Sequence, residues 1–165
     1  MILWLAQGFG SGRIPFAPGT FGSIVGLAWT ALLLASGSWI VFTCGIIGGF
    51  AISVWTCGEG EKILNQKDPG SIVMDEIAAI PLCFVGWLAM SFSVLPSPEM
   101  IFVHYWPVPI IIFILFRFFD ILKPWPVRQS QSLPGGWGVT VDDTLAAIYV
   151  NFSSCVLLWC FAKRL

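Results

Sequence analysis

FRFFDILKPWPVRQSQSLPGGWGVTVDD, running from Phe116 to Asp143, is the stretch on which the fold turns. It holds three of the nine acidic residues (Asp120, Asp142, Asp143) and three of the eight basic ones (Arg117, Lys123, Arg128). Apolar runs too long for a soluble core flank it on both sides. A polar segment so placed reads as the edge of a bilayer, with its charges converging on something. Of the 165 residues 57% are hydrophobic and 10% charged, whereas a soluble domain carries roughly a quarter charged residues. The composition therefore predicts an integral membrane protein, a single domain over residues 1–165.

Working outward, the chain is uncharged from Gly22 to Gly58, about twice the roughly 20 residues that one helix needs to cross the hydrocarbon. Ser36-Gly37-Ser38 divides this run into two spans. Ile77 to Leu95 gives a third, Met100 to Phe116 a fourth with kinks expected at Pro107 and Pro109, and Thr144 to Phe161 a fifth. The block GFGSGRIPFAPGTFGSIVGL, from Gly8, is too rich in Gly and Pro for a regular helix before about Phe21 and reads as an ordered surface loop. The expectation is an all-α, polytopic helical bundle of about five spans.

Five spans place the N-terminal loop, the Glu59–Glu76 segment and the Arg117–Asp143 segment on one face. Every acid except Glu99 falls there, with Arg13, Lys62, Lys67, Arg117, Lys123 and Arg128. The positive-inside bias makes that face cytoplasmic; Lys163 and Arg164, on the other, run against it. The short apolar N-terminus has no basic residue ahead of it and does not read as a cleaved signal peptide. A net charge of −1 excludes nucleic acid, which calls for a basic patch. The five cysteines form no CxxC pair and read as small hydrophobes.

Three acidic groups meet on the charged face: Asp75-Glu76, Asp120 and Asp142-Asp143. Adjacent helical residues point about 100° apart, so the members of each pair should do different jobs. Taken singly, each acid has a local explanation: Thr140-Val141-Asp142-Asp143 resembles a capping box, and Asp68-Pro69 an N-cap followed by proline. Taken together, Asp75, Glu76, Asp120, Asp142 and Asp143 suit a hard divalent ion such as Mg²⁺ or Mn²⁺. His104, about 24 Å along a helix from Asp120, stands apart. Arg117 suits an ion pair with Asp120 three residues on, and its planar fork suits phosphate equally. Lys123 suits a helix C-terminus or, as a point charge, a phosphate. Arg13, in a Gly-rich loop, adds a third possible phosphate contact. Carboxylates for a divalent ion beside cations for an anion indicate phosphoryl chemistry. At a membrane edge the substrate class is a lipid head group; Asp120, Asp142 or Asp143 is available as a covalent nucleophile, and metal-activated hydroxide is the simpler reading.

With those residues in place, the chain resembles the phosphatidylglycerophosphatase A family of bacterial membrane lipid phosphatases. Four blocks in order carry the likeness: RIPFAPGTFGSIVGL from Arg13, DPGSIVMDEIAA from Asp68, FRFFDILKPWPV from Phe116 and GGWGVTVDDTLAA from Gly135. The resemblance implies Mg²⁺-dependent hydrolysis of phosphatidylglycerophosphate to phosphatidylglycerol and inorganic phosphate in the bacterial cytoplasmic (inner) membrane. Its acidic motif residues fall on Asp68, Asp75, Glu76, Asp120, Asp142 and Asp143, its basic ones on Arg117 and Lys123. Ala79 and Ala147 stand where the family usually has glycine. Two other classes fit the sequence less well. A cation transporter or channel component should carry ionisable residues in mid-span, which the apolar runs lack. A non-catalytic scaffold leaves the alternation of acids and phosphate-suited cations unexplained.

Overall fold

The computed structural model describes residues 1–162, with side chains described through residue 157. Lys163, Arg164 and the Cys160 side chain lie outside that range. Every regular element among the described residues is helical: α1 (Ile2–Ala6), a 3-10 run (Gly8–Arg13), α2 (Pro18–Leu34), α3 (Trp39–Leu64), α4 (Met74–Ser91), a π-type turn (Met100–His104), α5 (Pro107–Leu122), α6 (Val127–Ser130) and α7 (Gly136–Ala162). The described cysteines Cys44, Cys57, Cys83 and Cys155 are unpaired.

The helices reach further into polar sequence than the apolar runs indicate. α2 begins at Pro18, where a proline costs nothing because the first N–H groups of a helix lack partners anyway. The N-terminal block is thus helical well before Phe21. α3 continues through Glu59, Glu61 and Lys62 to Leu64 and ends on Asn65 in the left-handed conformation (φ 47°). α4 takes in Asp75 and Glu76 as its first turn, and α7 begins eight residues before Thr144. A charged side chain in a terminal turn can reach water while its backbone stays hydrogen-bonded, so a gap in hydropathy is not a gap in helix.

Three local expectations fail for related reasons. Thr140-Val141-Asp142-Asp143 lies inside α7 and caps nothing. Asp68 sits in a loop at φ 48°, its N–H donating to Glu61 Oε1 at 2.8 Å. Pro107 and Pro109 open α5 instead of kinking it, since their missing N–H groups fall in its unpartnered first turn. The proline inside a helix is Pro81, in α4. The division at Ser36-Gly37-Ser38 holds: Gly37 turns at φ 62° and the Ser38 hydroxyl accepts the Val41 N–H at the start of α3.

α4 is the central helix, packed against α2, α3, α5 and α7. Its buried side chains Ile80, Phe84 and Leu88 meet Phe42, Phe116 and Val150 in the main core. Ala79 and Ala147 belong to that same core, fully enclosed. Gly26 of α2 leaves room for Ile80 and the Ile77 carbonyl, the acceptor that Pro81 cannot use. Asn151 of α7 ties the two helices below, donating to the Leu82 carbonyl at 2.7 Å and accepting the Gly86 N–H at 2.6 Å.

α3 and α4 are long and apolar enough to cross a membrane, and α2 is a shorter apolar helix. Ile40, Ile47, Ile52 and Trp55 on α3, and Ile110, Ile114, Phe118 and Ile121 on α5, face outward. Continuous outward apolar faces of this extent suit lipid and not water.

Candidate active site

The first turn of α4, the second turn of α7 and the last turn of α5 meet at one end of the bundle. With the loop from Asp68 to Ile72 they enclose a cavity of about 260 Å³, lined by Asp68, Gly70, Ile72, Asp75, Glu76, Asp120, Ile121, Lys123, Asp142 and Asp143. Six carboxylates and one ammonium therefore share a small space. The positive end of α4 favours Asp75 and Glu76. Asp142 and Asp143 lie beyond the first turn of α7, where that effect has decayed.

Arg117 holds two of the acids, its Nη1 standing 2.9 Å from Glu76 Oε1 and 2.9 Å from Asp120 Oδ2. Lys123 Nζ is 2.6 Å from Asp142 Oδ2. Burial alone lowers the affinity of the Lys123 ammonium for its proton, but the hydrogen bond and charge of Asp142 outweigh this and hold it above the ordinary lysine range. Asp75 and Asp143 have no cation among the described residues. Asp75 Oδ1 accepts the Glu76 N–H at 3.1 Å, while Asp143 Oδ2 and Glu76 Oε2 are buried without a partner. An ionised carboxylate left so costs several kcal/mol, roughly, and the cavity holds more carboxyl groups than cations to pair them. Each acidic pair is divided as helical geometry requires: Glu76 and Asp142 hold cations, Asp75 and Asp143 do not.

Two supports were not legible as such in the sequence. Gly19 lies against the Glu76 carboxylate and both terminal nitrogens of Arg117, and Gly22 against Glu76 Oε2 and Val73. The glycines of the N-terminal block thus serve close approach of α2 to α4. Their signal was the spacing Gly19, Gly22, Gly26, one face of an apolar helix. Beneath Asp75, Ser53 of α3 and Thr140 of α7 share a buried hydrogen bond of 2.8 Å; nothing in the sequence pairs these positions. Asp68, at the rim, accepts from Gln131 Nε2 at 3.2 Å. Arg13 is not in the cavity lining; its Nε donates to Gln7 Oε1 at 2.7 Å. His104 lies in the π-type turn before α5, likewise outside the lining.

The sequence profile of the family Phosphatidylglycerophosphatase A matches residues 4–158. The chain belongs to the phosphatidylglycerophosphatase A family. It is 38% identical over 146 residues to Phosphatidylglycerophosphatase A of Haemophilus influenzae, covering 88% of this chain and 81% of that one. With the Escherichia coli protein of the same name the identity is 33% over 146 residues, covering 87% and 76%. A Bacteroides thetaiotaomicron protein provisionally named a phosphatidylinositol-3-phosphatase is 34% identical over 159 residues, covering 94% and 92%. No solved structure matches the chain. As a phosphatidylglycerophosphatase A family member the chain is an enzyme, a phosphatase, and its apolar helices accord with a membrane protein.

Whether a divalent ion suits this phosphatidylglycerophosphatase A site is a question of donors. Among the described residues no group of three acidic, His or Cys side chains is arranged to hold a metal ion. Mg²⁺ does not require one, since it keeps several waters and takes one or two carboxylates together with substrate phosphate oxygens. Asp75 and Asp143, buried and without cations, are two such hard oxygen donors. The residues fit the ion.

Proposed function

We propose that this enzyme hydrolyses the terminal phosphate monoester of phosphatidylglycerophosphate, giving phosphatidylglycerol and inorganic phosphate, with Mg²⁺ as cofactor. The observation that carries the reading is the uneven pairing in the cavity: Asp75 and Asp143 buried without cations beside Lys123, with Arg117, itself outside the lining, pairing Glu76 and Asp120, in a phosphatidylglycerophosphatase A family member. Asp75 and Asp143 would hold Mg²⁺, with Glu76 able to join through its unpartnered Oε2 and Asp142 as Lys123 turns to phosphate. The chemistry the ion supplies in such a site is charge neutralisation at the phosphate oxygens and a lowered pKa for water.

The chain's own residues do the rest. Arg117 uses Nη1 for its two carboxylates, leaving other donors of its fork for a phosphate oxygen. Lys123 adds a mobile point charge. Asp120, held through Oδ2 by Arg117, offers its other oxygen to the proton of the attacking water. A water oxygen bonds to phosphorus, the bond from phosphorus to the glycerol oxygen breaks, and that oxygen takes up a proton. Ile72, the buried apolar part of the lining, limits bulk water.

Five crossings, by α2, α3, α4, α5 with its preceding turn, and α7, are supported by the alternation of ends at the cavity. The starts of α2, α4 and α7 and the ends of α3 and α5 lie toward it. Among the described residues the basic ones cluster at that end, which supports a multi-pass protein of the bacterial inner membrane with its site facing the cytoplasm.

The test is phosphate release by purified protein from phosphatidylglycerophosphate and from phosphatidylinositol 3-phosphate, with Mg²⁺ and with chelator. The proposal expects the first substrate to be preferred and chelation to stop turnover. Undiminished turnover in chelator refutes the metal assignment; preference for the inositol lipid refutes the substrate.

A further inference from the structure

The cations best suited to phosphate are not free, and they are engaged in different ways. Arg117 spends one nitrogen on Glu76 and Asp120, so it can receive a phosphate without letting go. Lys123 has a single compact ammonium, and that ammonium rests 2.6 Å from the oxygen of Asp142, whose side chain is 3% exposed. The Lys123 backbone is anchored as the left-handed cap of α5 (φ 46°), but four rotatable carbons separate that anchor from the charge. The neighbouring carboxylate, Asp143, lines the same cavity with Oδ2 buried and unpartnered. One acid of the pair is thus occupied by a cation of the protein and the other is open.

We propose that the Lys123–Asp142 ion pair is a latch that couples the two ligands of the site. A divalent cation that draws Asp142 toward itself releases the Lys123 ammonium to a phosphate oxygen. A phosphate that takes Lys123 releases Asp142 to the cation. The inference rests on the reading of this cavity as a metal-assisted phosphatase site. Coupling of this kind is reciprocal and falls in the range of roughly 5- to 150-fold in affinity. Without a divalent ion the latched protein is a poor binder of phosphate, whether lipid-borne or free.

The test is binding of inorganic phosphate, followed by ³¹P NMR, to purified protein in chelator. Asp142→Asn and Asp143→Asn each replace one carboxyl group of the cavity with an amide, but only the first frees an ammonium. Asp142→Asn is expected to bind phosphate about tenfold more tightly than the wild type, and Asp143→Asn much less so. Equal gains in both variants mean that the field alone has changed, and they overturn the latch, as does no gain in either. Should Asp142→Asn fail to fold, Lys123→Met tests the other side of the pair. Its Mn²⁺ affinity, read by electron paramagnetic resonance, is expected to rise as Asp142 is released, and an unchanged or weaker affinity overturns the proposal. Wild-type turnover of phosphatidylglycerophosphate with Mg²⁺ separates the two readings: an active wild type with no gain in Asp142→Asn sinks the latch and leaves the phosphatase assignment standing.

Discussion

Replacing Gly19 by alanine puts a methyl group against the Glu76 carboxylate and 2.9 Å from each terminal nitrogen of Arg117. To restore a contact of about 3.5 Å the guanidinium must retreat by roughly 0.6 Å, and Glu76, which is closer, must turn aside. Both neighbours are the far ends of flexible side chains, so they yield. The stability loss stays near the low end of the ~1–3 kcal/mol of overpacking, partly offset by about 0.5–1 kcal/mol for alanine over glycine in a helix. Function absorbs the displacement. A misplacement of about 1 Å in a reacting site costs on the order of a hundredfold, so about thirtyfold in kcat/KM is expected here, roughly 2 kcal/mol. Gly26→Ala is the control. Its methyl would meet Ile80 Cβ at 2.8 Å and Cγ1 at 2.7 Å, atoms rooted beside the backbone of α4. It should cost about 1–3 kcal/mol of stability and leave turnover per folded molecule unchanged. Phosphate release and thermal unfolding, measured in one detergent, read both effects. Wild-type kcat/KM in Gly19→Ala, or an equal activity loss per folded molecule in Gly26→Ala, would refute the reasoning.

Three further outcomes follow from the buried polar groups. Asp143→Asn should lower kcat by at least about a hundredfold if it holds the proposed Mg²⁺, whose stabilisation would amount to several kcal/mol, yet raise the melting temperature of the metal-free protein by removing a buried carboxyl group crowded by acidic neighbours. A lower metal-free melting temperature would show that the charge is compensated after all. Ser53→Ala should cost about 1–3 kcal/mol by orphaning the Thr140 hydroxyl, and adding Thr140→Val should recover part of it; strict additivity in a denaturant double-mutant cycle would deny the pair its coupling. Asn151→Leu loses bonds to Leu82, Gly86 and Ala147 and should destabilise by about 2–4 kcal/mol with kcat unchanged, because Asn151 lies outside the cavity lining.

How much of this was legible depends on the length scale of the interaction. Asp75, Glu76, Asp120, Lys123, Asp142 and Asp143 were identifiable as one cluster, and the structure brings all six to one cavity. Helix ends were misread wherever charge and helix overlap, as at Glu61 and Asp142, because hydropathy reports the solvent of a side chain and not the hydrogen bonding of its backbone. Arg13 was grouped with the cations by its Gly-rich setting, but its partner is Gln7, six residues back and just ahead of the 3-10 run, a contact that no linear pattern announces.

Composition and the order of apolar runs were enough to determine an all-helical chain suited to a membrane, with its acids toward one end, since both follow from transfer of side chains between water and hydrocarbon. The motif blocks were enough to determine the family. Only the tertiary structure decided which acid meets which cation: Glu76 with Arg117 from 41 residues away, Asp142 with Lys123 from 19, Asp75 and Asp143 with neither. Those pairings depend on the rotation of α4, α5 and α7 about their own axes. A rotation of 100° exchanges adjacent residues and leaves composition, hydropathy and motif order unaltered.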